Sequence, residues 1–246
     1  PQPRRVLGAA DVPGPSSPAT FQPGAGSWQV PPRAAPRERG WRENVADYTS
    51  QFRDWTNGSP IAREEGRSIL PPPEPNYPGN DPSINARLPN AAGLDVNCLR
   101  RDKDPADRCW GTRRMVDLIV QAGSDLDRYF SGKSRMRVND LSKANGGRIS
   151  GHVSHQRGVD VDIMFNGPFD VRVHSMVLAG FARNSAPSGA GSLQYTLVDQ
   201  SKHDALRWGL QKLVAEGVLD AAAAQRASAS IRHWSGHNDH FHFRIH

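Results

Sequence analysis

The sequence predicts an α+β fold, with a small antiparallel sheet flanked by helices and preceded by a long Pro-rich extension. Three observations carry that prediction. Of the 20 prolines, 17 lie before residue 96, and Pro-rich sequence extends neither helices nor central strands, so the core must come from the later residues. Apolar residues recur at helical spacing between Thr112 and Phe130. Short segments nearer the C-terminus alternate apolar and polar residues instead, the period of a strand with one buried face.

Taken in chain order, residues 1–40 are rich in Pro, Gly, Ala and Ser without periodicity, the composition of a disordered or extended arm. Residues 41–84 read as a Pro-rich wrap. Within it Trp41, Tyr48, Phe52 and Trp55 are spaced as on a short amphipathic helix. The aromatic side chains of residues 41–77 are costly to leave exposed together, so this stretch is expected to pack on the main domain or to dock a protein partner. The principal domain is expected over 85–246. Thr112 is a plausible N-cap for a helix that buries Met115, Leu118, Ile119, Ala122, Leu126 and Tyr129. A short helix is expected around Val173–Phe181 and another from about Ser201 to Ala215. Strands are expected over Arg135–Asp140, Gly158–Phe165 and His240–Ile245, and the rest of 166–200 carries no clear signal.

Charge is unevenly placed. Up to Asp95 there are 10 basic and 10 acidic residues, and beyond it 21 and 15, so the whole +6 excess belongs to the C-terminal part. A basic domain suits a polyanion. Nucleic acid is disfavoured, because no helix-turn-helix, finger or RNA-recognition signature accompanies the charge. No apolar run approaches the roughly 20 residues that span a bilayer. The chain starts at Pro1, consistent with a processed form whose targeting segment is not in this sequence. Cys98 and Cys109 flank a charged, Pro-containing turn, so a disulfide in an oxidising compartment is expected. The alternative is a pair of free thiols in a reducing one.

Most of the nine histidines fall in two short segments, Gly151–Asp162 and His233–His246. In the first, Gly158 permits a tight turn that brings His155 back toward a strand on which Asp160 and Asp162 share the polar face. In the second, Phe241, Phe243 and Ile245 point inward, which leaves His240, His242 and Arg244 on the other face. His155, Asp162 and His242 together offer the imidazole and carboxylate ligands that a catalytic zinc ion takes, with a position left for water. Each fragment alone has an ordinary explanation as solvated strand face, and only their conjunction points to a metal. His174 and His203 read as surface or capping residues. Beyond Asp95 the only glutamate is Glu216, and no His-Glu-x-x-His helix is present, so the general base must be a histidine or an aspartate. His240 is the best placed. Arg244 and Arg157 are candidates to hold a substrate carboxylate, with solvent exposure as the alternative.

Two stretches, SGHVSHQRGVDVDIMF at 150–165 and HWSGHNDHFHFRI at 233–245, resemble the penicillin-insensitive murein endopeptidases, part of a wider group with lysostaphin, D-Ala-D-Ala peptidases and hedgehog domains. Weaker similarity lies at 88–89, 110–119 and 138–152, so the resemblance spans about 85–246. It implies one Zn2+ held by His155, Asp162 and His242, and His240 as catalytic base or transition-state stabiliser, with His152 and His237 lining the site. It implies a periplasmic or secreted enzyme that cuts D-alanyl-diaminopimelate cross-links of peptidoglycan. The rivals are a D,D-dipeptidase or carboxypeptidase of the same group, and a non-hydrolytic zinc-containing module that binds the envelope. The long N-terminal extension and the small number of cysteines depart from the family pattern.

Overall fold

The computed structural model describes residues 77–98, 107–149 and 152–246. The expected arm over 1–40, the aromatic segment from Trp41 and most of the Pro-rich wrap lie outside the described residues. The elements run in the order β1 (Ala86–Arg87), β2 (Leu94–Val96), β3 (Trp110–Gly111), α1 (Arg113–Tyr129), β4 (Met136–Val138), β5 (Asp160–Met164) and α2 (Val171–Asn184). They continue with β6 (Leu193–Val198), a 3-10 turn (Gln200–Lys202), α3 (His203–Ala215), α4 (Ala221–Ser230), β7 (Ile231–His233) and β8 (His240–Ile245).

The α+β class is as expected, but the sheet is larger and mixed. Strands β2-β4-β5-β8-β6-β7 form one six-stranded sheet. Its middle is antiparallel, whereas β2 runs parallel to β4 and β7 parallel to β6 at the two edges. The small antiparallel sheet is the separate pair β1·β3. The edge strands β2 and β7, of three residues each, carry too little sequence for a period to register, and the six-residue β6 lies in the 166–200 stretch where no signal was clear, its last three residues being buried on both faces.

Helix α1 begins where its cap predicts. The Thr112 hydroxyl oxygen accepts from the Met115 amide at 3.3 Å, satisfying one of the first-turn donors that a helix leaves open. Helix α2 is longer than expected because Asp170 caps it, accepting from the Arg172 and Val173 amides. The helix expected from Ser201 opens instead as a 3-10 turn capped by Asp199 and becomes α3 at His203. Helix α4, with the sequence AAAAQRASAS, has strong helix formers and no broad apolar stripe, so it escaped a reading based on amphipathic period.

The helices pack in sequence of contact, α1 on α2 and α2 on α3 and α4. At the α1·α2 crossing Gly180 faces Ala122 so closely that a Cβ there would come within 3.1 Å of the Ala122 backbone and side chain. Asp125 of α1 bridges the same pair, accepting from Asn184 at 2.8 Å and lying 3.3 Å from the Arg183 guanidinium. The sheet meets this layer through Phe243 of β8, whose ring stacks on Phe181 of α2 at 3.9 Å. Phe165, Phe241 and the ring of His174 extend the contact. His174 and His203 are buried rather than at the surface, His174 beside the N-cap of α2 and His203 at the start of α3 with Nε2 3.3 Å from the Val198 carbonyl.

The disulfide Cys98–Cys109 is formed and buried. It ties the end of the β2 region to the segment that leads through β3 into α1. That segment is in turn bonded to the 141–142 stretch by Leu141 N–H to the Arg108 carbonyl and by two bonds between Trp110 and Ser142. The backbone after β4 is thereby fixed beside the site.

Candidate metal centre

Strands β5 and β8 pair in antiparallel register with Asp162 opposite His242 and Asp160 opposite Arg244. Directly opposed side chains on one face are close neighbours, so register alone brings a carboxylate against an imidazole and another against a guanidinium. The face expected to be polar is polar, yet it is not solvated. Asp160, Asp162, His242 and Arg244 are all buried. His242 Nδ1 lies 3.0 Å from Asp162 Oδ1, and its Nε2 donates to Asp160 Oδ1 at 2.9 Å.

The second half of the site comes from the loop before β5. Gly158 adopts φ +66°, as the sequence required, and a Cβ there would come within 2.8 Å of Ile84 and 2.9 Å of the Thr112 nitrogen. Its carbonyl accepts the Thr112 amide at 2.9 Å, which anchors the loop to the start of α1. His155 is also left-handed, with φ +64°, a conformation uncommon for a residue with a side chain. Upstream, Gly147 N–H donates to the Gln156 carbonyl and Tyr77 N–H to Gln156 Oε1, both at 2.8 Å. The loop is thus pinned from both sides.

That pinning carries the His155 ring into the core. Its Nδ1 sits 2.7 Å from the Leu141 carbonyl oxygen, an acceptor only, so the ring proton is on Nδ1 and Nε2 presents a lone pair. Nε2 is buried, has no hydrogen-bond donor, and faces Asp162 Oδ1 at 3.3 Å. Two electron-rich atoms facing each other out of water repel unless a cation lies between them. The same Asp162 oxygen is the one His242 Nδ1 approaches. Among the described residues His152, His155 and Asp162 also form a group able to hold a metal ion, with their ligand atoms all within 4.8 Å of one another. The donor set of imidazole nitrogens and carboxylate therefore fits a metal such as zinc.

Electrostatics agree with that reading. Burial alone would raise Asp162, but positive charge facing it from the His155 and His242 rings, the charge a bound cation would supply in their place, holds it well below the usual carboxylate range. Burial alone would lower His242, and its bonds to Asp160 and Asp162 instead carry it up to about 9. Without a metal, a proton on His242 neutralises the carboxylates that a cation would otherwise neutralise.

The remaining predicted histidines surround this centre. His152 has Nε2 3.2 Å from Asp140 Oδ2, and Asp140 is itself 3.6 Å from the Arg108 guanidinium, while His152 Nδ1 faces Asp162 at 3.9 Å. The His152 and His155 rings are 4.7 Å apart, and those of His155 and His242 4.8 Å. His237 and His240 lie side by side at 4.5 Å, with His237 6.0 Å from His242. Burial, reinforced by His240 and His242, pushes His237 down to about 4, so it is neutral at ordinary pH. His240 Nδ1 is 2.7 Å from Asp239 Oδ1, which leaves Nε2 as the nitrogen able to exchange protons with a substrate.

The two arginines are placed differently from the histidines. Arg244 donates Nε and Nη2 to Asp160 at 2.6 and 2.8 Å and is buried, so these contacts are structural. Arg157 lies over the Tyr77 ring, 5.7 Å from its centroid. Glu216 accepts from the Tyr129 hydroxyl at 2.8 Å at the end of α3. Three side chains around the histidines carried no assigned role in the sequence: Asp140, Asp160 and Asp239. Asp160 had a usable signal, its place two residues before Asp162 on the same strand face. Asp140 had none.

A family model described as penicillin-insensitive murein endopeptidase matches residues 85–246. The chain is also similar to a penicillin-insensitive murein endopeptidase of Haemophilus influenzae, with 28% identity over 214 residues, covering 78% of this chain and 68% of that protein.

Proposed function

Because the chain belongs to the penicillin-insensitive murein endopeptidase family, we propose that it is a zinc peptidase of the bacterial envelope that hydrolyses D-alanyl-diaminopimelate cross-links in peptidoglycan. The observation that carries the metal is the buried, donor-less Nε2 of His155 facing Asp162 Oδ1 at 3.3 Å. His155 Nε2, Asp162 and His242 Nδ1 would hold the ion, and His152 stands next to them in support. When bound, zinc supplies a Lewis acid for the scissile carbonyl and acidifies a water molecule.

The chain's own residues do the rest. Asp239 holds His240 by Nδ1, so Nε2 takes a proton from the attacking water and returns one to the leaving amine. His237, kept neutral by burial, adds a polar wall beside His240 without adding charge. Attack by water needs no acylated serine, which accounts for insensitivity to β-lactams. With both guanidinium bonds of Arg244 directed to Asp160, Arg157 is the better of the two candidates for a substrate carboxylate. A buried disulfide supports an oxidising, periplasmic or secreted location.

Digestion of purified murein tests the substrate. The endopeptidase reading expects cross-linked dimers to become monomers. Release of terminal D-amino acids alone would instead identify a D,D-carboxypeptidase, and retention of murein without any product would identify a binding module.

A further inference from the structure

We propose that Asp160 is a positioning residue for the metal centre, a single buried carboxylate that sets both the tautomer of His242 and the backbone of His155. The inference rests on the metal-site reading and extends it to a residue outside the ligand set. Asp160 has no solvent exposure, and its two oxygens accept from four donors. Oδ1 accepts from His242 Nε2 at 2.9 Å and Arg244 Nε at 2.6 Å. Oδ2 accepts from Arg244 Nη2 at 2.8 Å and from the His155 amide at 3.3 Å. An ionised carboxylate has about four acceptor sites, so this one is filled.

Each bond has a geometric consequence. Two guanidinium donors keep Asp160 an acceptor, so the proton it meets on His242 must sit on Nε2. That leaves the Nδ1 lone pair for the metal, facing Asp162. The bond to the His155 amide holds the left-handed residue that turns the loop ligand inward. Such a conformation persists only where its surroundings fix it. One side chain therefore couples the strand ligand to the loop ligand, in the way that partners behind a ligand's other nitrogen orient metal-binding histidines generally.

The test compares Asp160→Ala and Asp160→Asn with the parent, measuring zinc affinity by chelator competition and the visible spectrum after cobalt substitution. Asp160→Ala is expected to weaken zinc by about 10- to 100-fold and to alter the cobalt bands. Asp160→Asn keeps an oxygen for the Nε2–H but turns an amide donor toward Arg244 and His155, so it should recover part of that loss. Asp125→Ala, which removes a carboxylate bridging α1 and α2, serves as the control. It should lower the melting temperature and leave zinc affinity and spectrum unchanged. Should Asp160→Ala fail to fold, Asp160→Asn decides alone, with a loss of at least threefold expected. Zinc affinity within twofold of the parent, with superimposable cobalt spectra, overturns the proposal, as does an equal loss in Asp125→Ala. A parent that takes up neither metal removes the metal-site reading itself.

Discussion

The two faces of β8 each meet a buried histidine, and the two histidines are driven in opposite directions. On the face toward β5's carboxylates, His242 lies between Asp160 and Asp162 and is raised to about 9 despite burial. On the other face, His174 of α2 sits among Phe165, Phe169 and Phe241, and burial lowers it to about 4. Residue type and depth are the same. Partners decide that one is held charged between two carboxylates and the other is a neutral piece of core. The apolar face of β8 also holds the centre in place. The Phe face is a packed layer against α2, so the strand that presents His242 cannot move without opening the core.

Substitutions on the two faces should separate function from stability. His155→Ala, Asp162→Ala and His242→Ala are each expected to abolish zinc uptake and murein digestion together, measured by metal analysis and product chromatography. Full zinc occupancy in any of them would remove that residue from the ligand set. Phe243→Ala, on the opposite face of the same strand, should cost about 3–5 kcal/mol of folding stability in a denaturant titration. Its folded fraction should still bind one zinc per chain. Between these lies His240→Ala, at the start of β8, which should keep zinc while losing about a hundredfold in turnover, the scale of a lost general base. Parallel loss of metal would make His240 a ligand.

Acidity offers a finer separation. For metal-free protein, the folded state binds a proton at His242 more tightly than the unfolded chain does. That contribution is full below about 6.5 and is lost as pH rises through about 9. For His174 the sign reverses. Its folded value is depressed, so its contribution is full above about 6.5 and is lost as pH falls toward about 4. Melting temperatures of chelated protein should therefore fall on both sides of neutrality. His242→Gln should flatten the alkaline limb and His174→Leu should reduce the acid one, the remainder there belonging to His237 and, at lower pH, to the depressed carboxylates of Asp140, Asp160 and Asp162. An alkaline limb unchanged in His242→Gln would show that His242 is not the proton-bearing group.

Legibility in the sequence divides along the same line. Alternation in 158–165 and 240–245 identified both strands, their apolar faces and the side on which Asp162 and His242 sit. Alternation was silent on one point: Asp160 was placed only on the polar face, and Arg244 was a candidate for a substrate carboxylate or for solvent, whereas the two are buried as a matched pair. A period shows which residues share a face and says nothing of what covers that face. The loop half was legible only through residue types. Gly158 signalled the turn, but the acceptor that fixes the His155 ring is the backbone carbonyl of Leu141, which any residue would supply. The edge strands and α4 were missed because three-residue strands and an alanine run carry no apolar stripe.

On the proposed function, one metal ion, held where these two segments meet, is needed for cleavage of the peptide cross-link. Stepwise zinc titration of metal-free protein, with cross-linked murein dimer as substrate, tests it directly. Hydrolysis should be absent at the start, rise in proportion to added zinc and break sharply at one equivalent per chain, with His242→Ala flat throughout. Full conversion of dimer to monomer by thoroughly chelated protein, at the rate of the zinc-loaded form, would contradict it.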